Sequence, residues 1–248
     1  MDPTYNLKYY FCDVSKAGCT TWENIARSDY VTGKKRKFQL NLNARDWPER
    51  NETYQKFVNI RHPFDRLVSA FYNIKTKTKR GQRGPELKVL QYFMQTFQIS
   101  YKRITFPQFI NFVVSTPDEH PANILFDRHW DAFSRSCRTC SVNYRFITRT
   151  ETSVQDSKPI LKLFDYPRDF FLHESKKENH IKRKADDTSV KAPPFGVVLA
   201  EFAQIKEEVM EKLFARYKSD FEGFGYHFDV GSNQAYCSIQ TENGDFCC

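Results

Sequence analysis

No run of about 18 apolar residues occurs anywhere in the chain, so no segment of it reads as a membrane-spanning helix. No leader is legible in the opening MDPTYNLKYYF. Taken literally this is a soluble chain without an anchor, or else the catalytic part of a longer one. The pattern G-x-x-x-x-G-K-[ST] is missing, which removes the phosphate loop of nucleotide triphosphatases and kinases. Cys137-x-x-Cys140 has no second ligand pair after it, so a zinc site would lack half its ligands. The same two cysteines read equally as disulfide-forming in an oxidising compartment. No helix-turn-helix, zinc-finger or RNA-recognition signature is present, so nothing supports nucleic acid as a partner. Glycine is scarce, 9 in 248 residues, which gives weight to any glycine in a loop.

What is abundant is aromatic. There are 23 Phe and 13 Tyr, enough bulk to fill a core and to exclude wholesale disorder. The formal charge is +8, so the surface attracts polyanions; charge alone cannot choose among nucleic acid, acidic membranes and acidic glycans. Seven cysteines exceed what a reduced cytosolic protein needs. The sequon Asn51-Glu52-Thr53 is compatible with a secretory location, and the terminal Cys247-Cys248 is set aside as a prenylation signal.

Strand patterns fall at 7–14 (LKYYFCDV), 56–60 (KFVNI) and 144–148 (YRFIT). Helical patterns fall at 21–30, with Thr20 or Thr21 as the cap, and at 64–75, 86–97, 106–114 and 199–217. Residues 34–37, 75–84 and 176–191 are charged and read as loops. Strands alternating with helices predict an α/β fold, a single domain over residues 1–248 with a mainly parallel sheet flanked by helices.

Two strand–turn–helix segments carry the chemistry. In KAGCTTW (16–22) the first N–H groups of the coming helix are unpaired and point at any anion in the turn. Gly18 lets backbone approach a phosphate, Lys16 adds a full charge, and Thr20 and Thr21 add hydroxyls. An ordinary capped helix after a strand would look the same. In RHPFDRLVSAFY (61–72), Arg61 follows a strand at the sheet's carboxyl end, where α/β proteins bind ligands, and its guanidinium suits a phosphate. Ser69 lies in the helix that follows; Arg66 reads equally as a structural ion-pair partner.

Together the two segments resemble the donor-binding motifs of the Golgi carbohydrate sulfotransferases, the family that includes the chondroitin 4-O-sulfotransferases. Its first motif, P-K-x-x-C-T-x-W, is matched by Lys16, Cys19, Thr20 and Trp22, with Ser15 where the family has Pro. Its second, R-x-P-F-x-R-L-x-S-A-[YF], is matched by Arg61, Pro63, Phe64, Arg66, Leu67, Ser69, Ala70 and Phe71. His129-Trp130, Cys137-x-x-Cys140, YRFITRTET and the Y-x-x-D-F-x-x-F-G-Y run from Tyr217 to Tyr226 continue the likeness, which covers about residues 7–226 and leaves 227–248 as a tail.

The resemblance implies a P-loop nucleotide-kinase-like sulfotransferase fold. It implies transfer of a sulfuryl group from 3′-phosphoadenosine 5′-phosphosulfate to a sugar hydroxyl, on an acidic or neutral glycan that includes chondroitin-type chains, with no metal. It places the family in the Golgi lumen. It assigns the 5′-phosphosulfate to Lys16, Ala17, Gly18, Cys19, Thr20 and Thr21, and the 3′-phosphate to Arg61 and Ser69. Lys16 is catalytic, and His129 is the candidate base with Glu151 as its rival; His62 shapes the phosphate loop. A family member that has lost transfer and only binds nucleotide or glycan is the alternative.

Overall fold

In the computed structural model the described residues are 8–31, 38–41, 54–79, 103–116, 129–163 and 195–227, with Gln95 and Gln98 as isolated positions. In chain order their elements are β1 (Lys8–Cys12), α1 (Cys19–Val31), β2 (Phe38–Asn41), β3 (Tyr54–Ile60), α2 (Pro63–Lys79), α3 (Phe106–Ser115), α4 (Phe133–Ser136), β4 (Phe146–Arg149), α5 (Ser153–Leu163), α6 (Phe195–Phe202) and α7 (Glu207–Phe224). The chain divides into two compact units, Met1–Arg61 with Ser136–Thr188 and His62–Arg135 with Ser189–Cys248.

The first unit is built on a parallel sheet of order β2-β1-β3-β4. In-register pairing sets Phe11 opposite Phe57 and Cys12 opposite Val58. Phe11 and Phe57 stack at 4.8 Å, and Trp22, from the first turn of α1, meets Phe57 edge-on at 4.9 Å. Ile25, Ile160 and Leu161 complete this core. Burying each such side chain contributes roughly 2–3 kcal/mol. The α/β reading with a parallel sheet is thereby met. The edge strand β2 was not anticipated, since four residues carry too little alternation. Nor was α5, whose interior Pro159 weakens any helical signal.

Cys12, the last residue of β1, is bonded to Cys137 across 125 residues of sequence. The partner of Cys137 is therefore not Cys140, which is itself disulfide-bonded. In the chain-entropy account a closure of that length stabilises the fold by about 4–5 kcal/mol. We expect Cys12→Ser to lower the unfolding free energy by about 2–5 kcal/mol. Urea unfolding in the absence of reductant checks this; an unchanged midpoint would mean the cross-link constrains nothing.

The second unit is helical. Pro63 opens α2, where its missing N–H is no loss, and the Nδ1 of His62 accepts the N–H of Phe64 at 3.2 Å. Phe64, Leu67, Val68, Phe71 and Ile74 form its buried stripe. Phe64 stacks on Phe202 of α6 at 4.5 Å and meets Phe221 of α7 at 5.1 Å, while Phe71 meets Phe106 of α3 at 5.4 Å. α2 runs on through Lys79, so residues 75–79, read from their charge as loop, are helical. Thr105 and Gln108 close a capping box on α3.

The single helix expected over 199–217 is two helices. The N–H groups of Gln204 and Ile205 tighten onto the carbonyls of Glu201 and Phe202, and Lys206 restarts the chain in extended geometry. Glu207 and Glu208 then favour the positive end of α7. Gly225, at φ 60°, ends α7 in the left-handed conformation glycine adopts without strain. Within the helix expected over 86–97 only Gln95 is described; residues 34–37, the sequon at 51–53 and 176–191 lie outside the described residues.

Buried polar groups tie the unit together. The Arg66 guanidinium donates to the carbonyl of Asp131 and lies 4.7 Å over the Phe133 ring. The Tyr217 hydroxyl donates to the carbonyl of Trp130. Asp220 accepts the N–H groups of Phe133 at 2.8 Å and Ser134 at 3.0 Å. Burial pushes its carboxyl up to about 6, against the pull of those N–H groups and of Arg66. A carboxyl raised in the folded state favours folding at low pH and loses that contribution as pH rises. Measured against Asp220→Asn, the wild-type chain should therefore lose on the order of 2–3 kcal/mol of relative stability between pH 4 and pH 7. Denaturation midpoints across that range check it; a relative gain would show that the ionised form is the stabilising one.

Candidate functional site

The parallel pairing brings the carboxyl ends of β1 and β3 side by side. β2 lies on one flank of β1 and β3 on the other, so the direction of winding reverses between β1 and β3. Open α/β sheets bind ligands at that place. The loop from Asp13 to Gly18 leaves β1 there, and Arg61 leaves β3 there.

The loop is held in an unusual backbone state. Lys16 has φ 69° and Gly18 φ 76°. A lysine in the left-handed region is strained by about 1 kcal/mol or more, and such strain persists only where surroundings enforce it. Here β3 enforces it. The Arg61 guanidinium donates to the carbonyl of Lys16 at 3.2 Å, and the Asn59 side-chain amide donates to the carbonyl of Ala17. In a trans peptide, N–H and C=O point opposite ways. The Gly18 N–H is thus turned to the face of the loop away from Asn59.

The helix α1 begins at Cys19, one residue after Gly18. Thr20 and Thr21 therefore lie inside its first turn and do not cap it from outside; the positive φ of Gly18 swings the chain into the helix before they are reached. The Thr21 N–H closes onto the Gly18 carbonyl at 3.1 Å. The N–H groups of Cys19 and Thr20, as in every first turn, have no partner within the helix and face its N-terminal end. Lys16, Arg61 and these dipoles make a positively charged cradle suited to an anion.

Cys19, the first residue of α1, is a free thiol. Burial first, then the carboxylates of Asp13 and Glu23, raise its pKa above the ordinary thiol value. It stays protonated near neutral pH and is a poor nucleophile. Among the described residues no cluster of His, Cys, Asp and Glu is placed to hold a metal ion.

Of the residues singled out in the sequence, Lys16, Ala17, Gly18, Cys19, Thr20, Thr21 and Arg61 come together in the first unit. Glu151 is exposed in the turn after β4 of the same unit. Ser69 and His129 belong to the second unit. Ser69 is buried on α2, and His129 is half-buried beside Trp130, a fully buried ring whose carbonyl is taken by Tyr217. His62 caps α2, and its Nε2 bonds the carbonyl of His227 at 3.1 Å. Arg66 is a structural cation, the plainer of its two readings.

The reading from sequence passed over Asn59. It is 3 % exposed, and its signal was a lone amide between the apolar Val58 and Ile60. A buried polar side chain must find partners, and one at a strand's carboxyl end finds them in the adjoining loop.

Gly18 has no room for a side chain. A Cβ there would stand 2.9 Å from Asn59 Nδ2, in a conformation L-residues avoid. We expect Gly18→Ala to cost about 1–3 kcal/mol of stability. Chemical denaturation checks it, and an unaffected variant would show that the loop does not need this conformation.

A family model described as the sulfotransferase family matches residues 1–227. The chain is 25% identical over 239 residues to carbohydrate sulfotransferase 9 of Homo sapiens, covering 88% of this chain and 51% of that protein. It is 23% identical over 235 residues to carbohydrate sulfotransferase 14 of Danio rerio, covering 88% and 60%. It is 25% identical over 250 residues to carbohydrate sulfotransferase 11 of Rattus norvegicus, covering 91% and 66%. The chain thus spans about half to two thirds of the length of these relatives. No solved structure matches it. The resemblance read from the motifs is borne out.

Proposed function

Because the chain belongs to the sulfotransferase family, we propose that it transfers a sulfuryl group from 3′-phosphoadenosine 5′-phosphosulfate to a hydroxyl of a carbohydrate. The observation that carries this reading is the braced Lys16–Gly18 turn, with the N-terminus of α1 and the buried Arg61 gathered at the carboxyl ends of β1 and β3. Those residues fit a nucleotide carrying phosphate groups. A P-loop nucleotide-kinase-like fold is supported by the strand–loop–helix at β1 and the parallel sheet.

The donor, when bound, supplies an activated sulfuryl group on a phosphate leaving group. The protein's task is to stabilise negative charge as it gathers on the bridging oxygen. The Lys16 ammonium and the N–H groups of Gly18, Cys19 and Thr20 take that task, and the N–H groups, set beforehand by the braced loop, need no reorganisation. Arg61 takes the 3′-phosphate and sets the register of the nucleotide. Ser69 and His129 enter on their motifs: a hydroxyl for the donor, and a base that removes the acceptor's proton as the new sulfur–oxygen bond forms. The relatives' names support a carbohydrate acceptor, for which we propose a chondroitin-type glycan. The disulfides support an oxidising compartment, which we take to be the Golgi lumen.

Titration calorimetry with 3′,5′-adenosine bisphosphate tests the donor site without reference to the acceptor. The wild-type chain should bind, and Arg61→Ala should weaken binding by roughly 10–100-fold, the loss of a charge-assisted contact. Lys16→Ala should cut turnover by more than it cuts bisphosphate binding, because its contact strengthens in the transition state. A folded wild-type chain that does not bind the nucleotide would overturn the reading.

A further inference from the structure

The Asn59 side chain stands at the centre of a chain of hydrogen bonds that ends in the anion-binding loop. Its Oδ1 accepts the Thr148 hydroxyl at 2.6 Å, which fixes the amide's orientation and leaves Nδ2 as the group that faces the loop. Nδ2 donates to the Ala17 carbonyl and, at 3.3 Å, to the Thr150 hydroxyl. The Thr150 hydroxyl in turn donates to the carbonyl of Ile60 at 3.0 Å, and its backbone N–H bonds that same carbonyl at 2.8 Å. Asn59 and Thr148 are opposite one another in the β3–β4 pairing and both are buried. The amide is thus set by two strands and aimed at a third segment.

It also fills the space beneath Gly18: the 2.9 Å approach of Nδ2 to a Cβ built there shows amide and loop in direct contact. Side chain and glycine fit each other, and the loop's two left-handed residues flank the one peptide carbonyl the amide holds.

We propose that Asn59 is a positioning residue for this site. By holding the Ala17 carbonyl toward β3 it keeps the Gly18 N–H and the start of α1 turned to the bound anion. This rests on the donor-binding function proposed above. It assigns Asn59 to the 5′ end of the nucleotide, where the loop acts, and not to the 3′-phosphate assigned to Arg61.

The test compares two ligands on the full chain: 3′,5′-adenosine bisphosphate, and adenosine 3′-monophosphate, which lacks the 5′ group. In the wild type the bisphosphate should bind more tightly. Asn59→Ala should weaken the bisphosphate about tenfold or more and leave the monophosphate nearly unchanged, so that the ratio of affinities collapses. Arg61→Ala should weaken both. Thr148→Val, nearly isosteric, removes the hydroxyl that orients the amide and should shift the ratio in the same direction by less; it covers the case in which Asn59→Ala does not fold. If folded variants weaken both ligands equally, or neither, Asn59 serves the fold alone and the inference fails. If the wild type binds neither ligand, it is the functional reading that fails.

Discussion

Everything at the candidate site follows from one constraint, the in-register parallel pairing of β1 with β3. Parallel strands end on the same side of a sheet, so two segments more than forty residues apart are forced to begin their turns as neighbours. One turn brings a lysine, a glycine and a helix start. The other brings an amide and a guanidinium. The pairing is secured by the Phe11–Phe57 stack on one face, with Trp22 from α1 closing over it. The same aromatic cluster therefore sets the register and docks the helix whose N-terminus opens at the candidate site. The hydrogen bonds from Asn59 and Arg61 to successive loop carbonyls are a consequence of that register, since a slip of one residue would turn Asn59 to the opposite face.

The second unit shows a different economy. Its motif residues, conspicuous in the sequence as charge and aromatic patterns, work mainly on backbone. Arg66, Tyr217 and Asp220 reach from two helices to the carbonyls and N–H groups of the segment from Trp130 to Ser134. The first N–H groups of α4 and the carbonyls of the turn before it have no partners within their own segment, and buried ones must be met by side chains. That is why three titratable side chains are buried there together. It is also why Asp220 is tolerated with a carboxyl near 6: two N–H groups hold the ionised form but do not fully offset desolvation.

The parts of this architecture that were legible in the sequence are those where local pattern and tertiary role coincide. Phe57, Val58 and Ile60 are apolar because this end of β3 is covered on both faces, and the Phe64–Phe71 stripe has helical spacing because α2 packs on one side. That Lys16 and Arg61 belong to turns at the carboxyl ends of strands was legible from the strand–turn–helix pattern around each, and the structure brings the two turns together. Illegible were elements without periodicity of their own. β2 is too short, α5 carries a proline, and the break at 203–206 contains neither glycine nor proline. Asn59 falls in a further class: its residue type is explained by a loop forty residues earlier and by two threonines about ninety residues later, which no local window contains. The pairing of Cys12 with Cys137 was hidden for the same reason, a nearer partner at Cys140 being the obvious candidate along the chain.

Cys12 and Cys137 are oxidised at the base of the loop, while Cys19, at the start of α1, remains a thiol. A thiolate among the first N–H groups of α1 would occupy with its own charge the field those dipoles offer to a ligand. Burial and the carboxylates of Asp13 and Glu23 oppose that ionisation. Burial, with the acidic neighbours adding to it, thus keeps the thiol at the start of α1 neutral and leaves the positive end of the helix uncompensated by it.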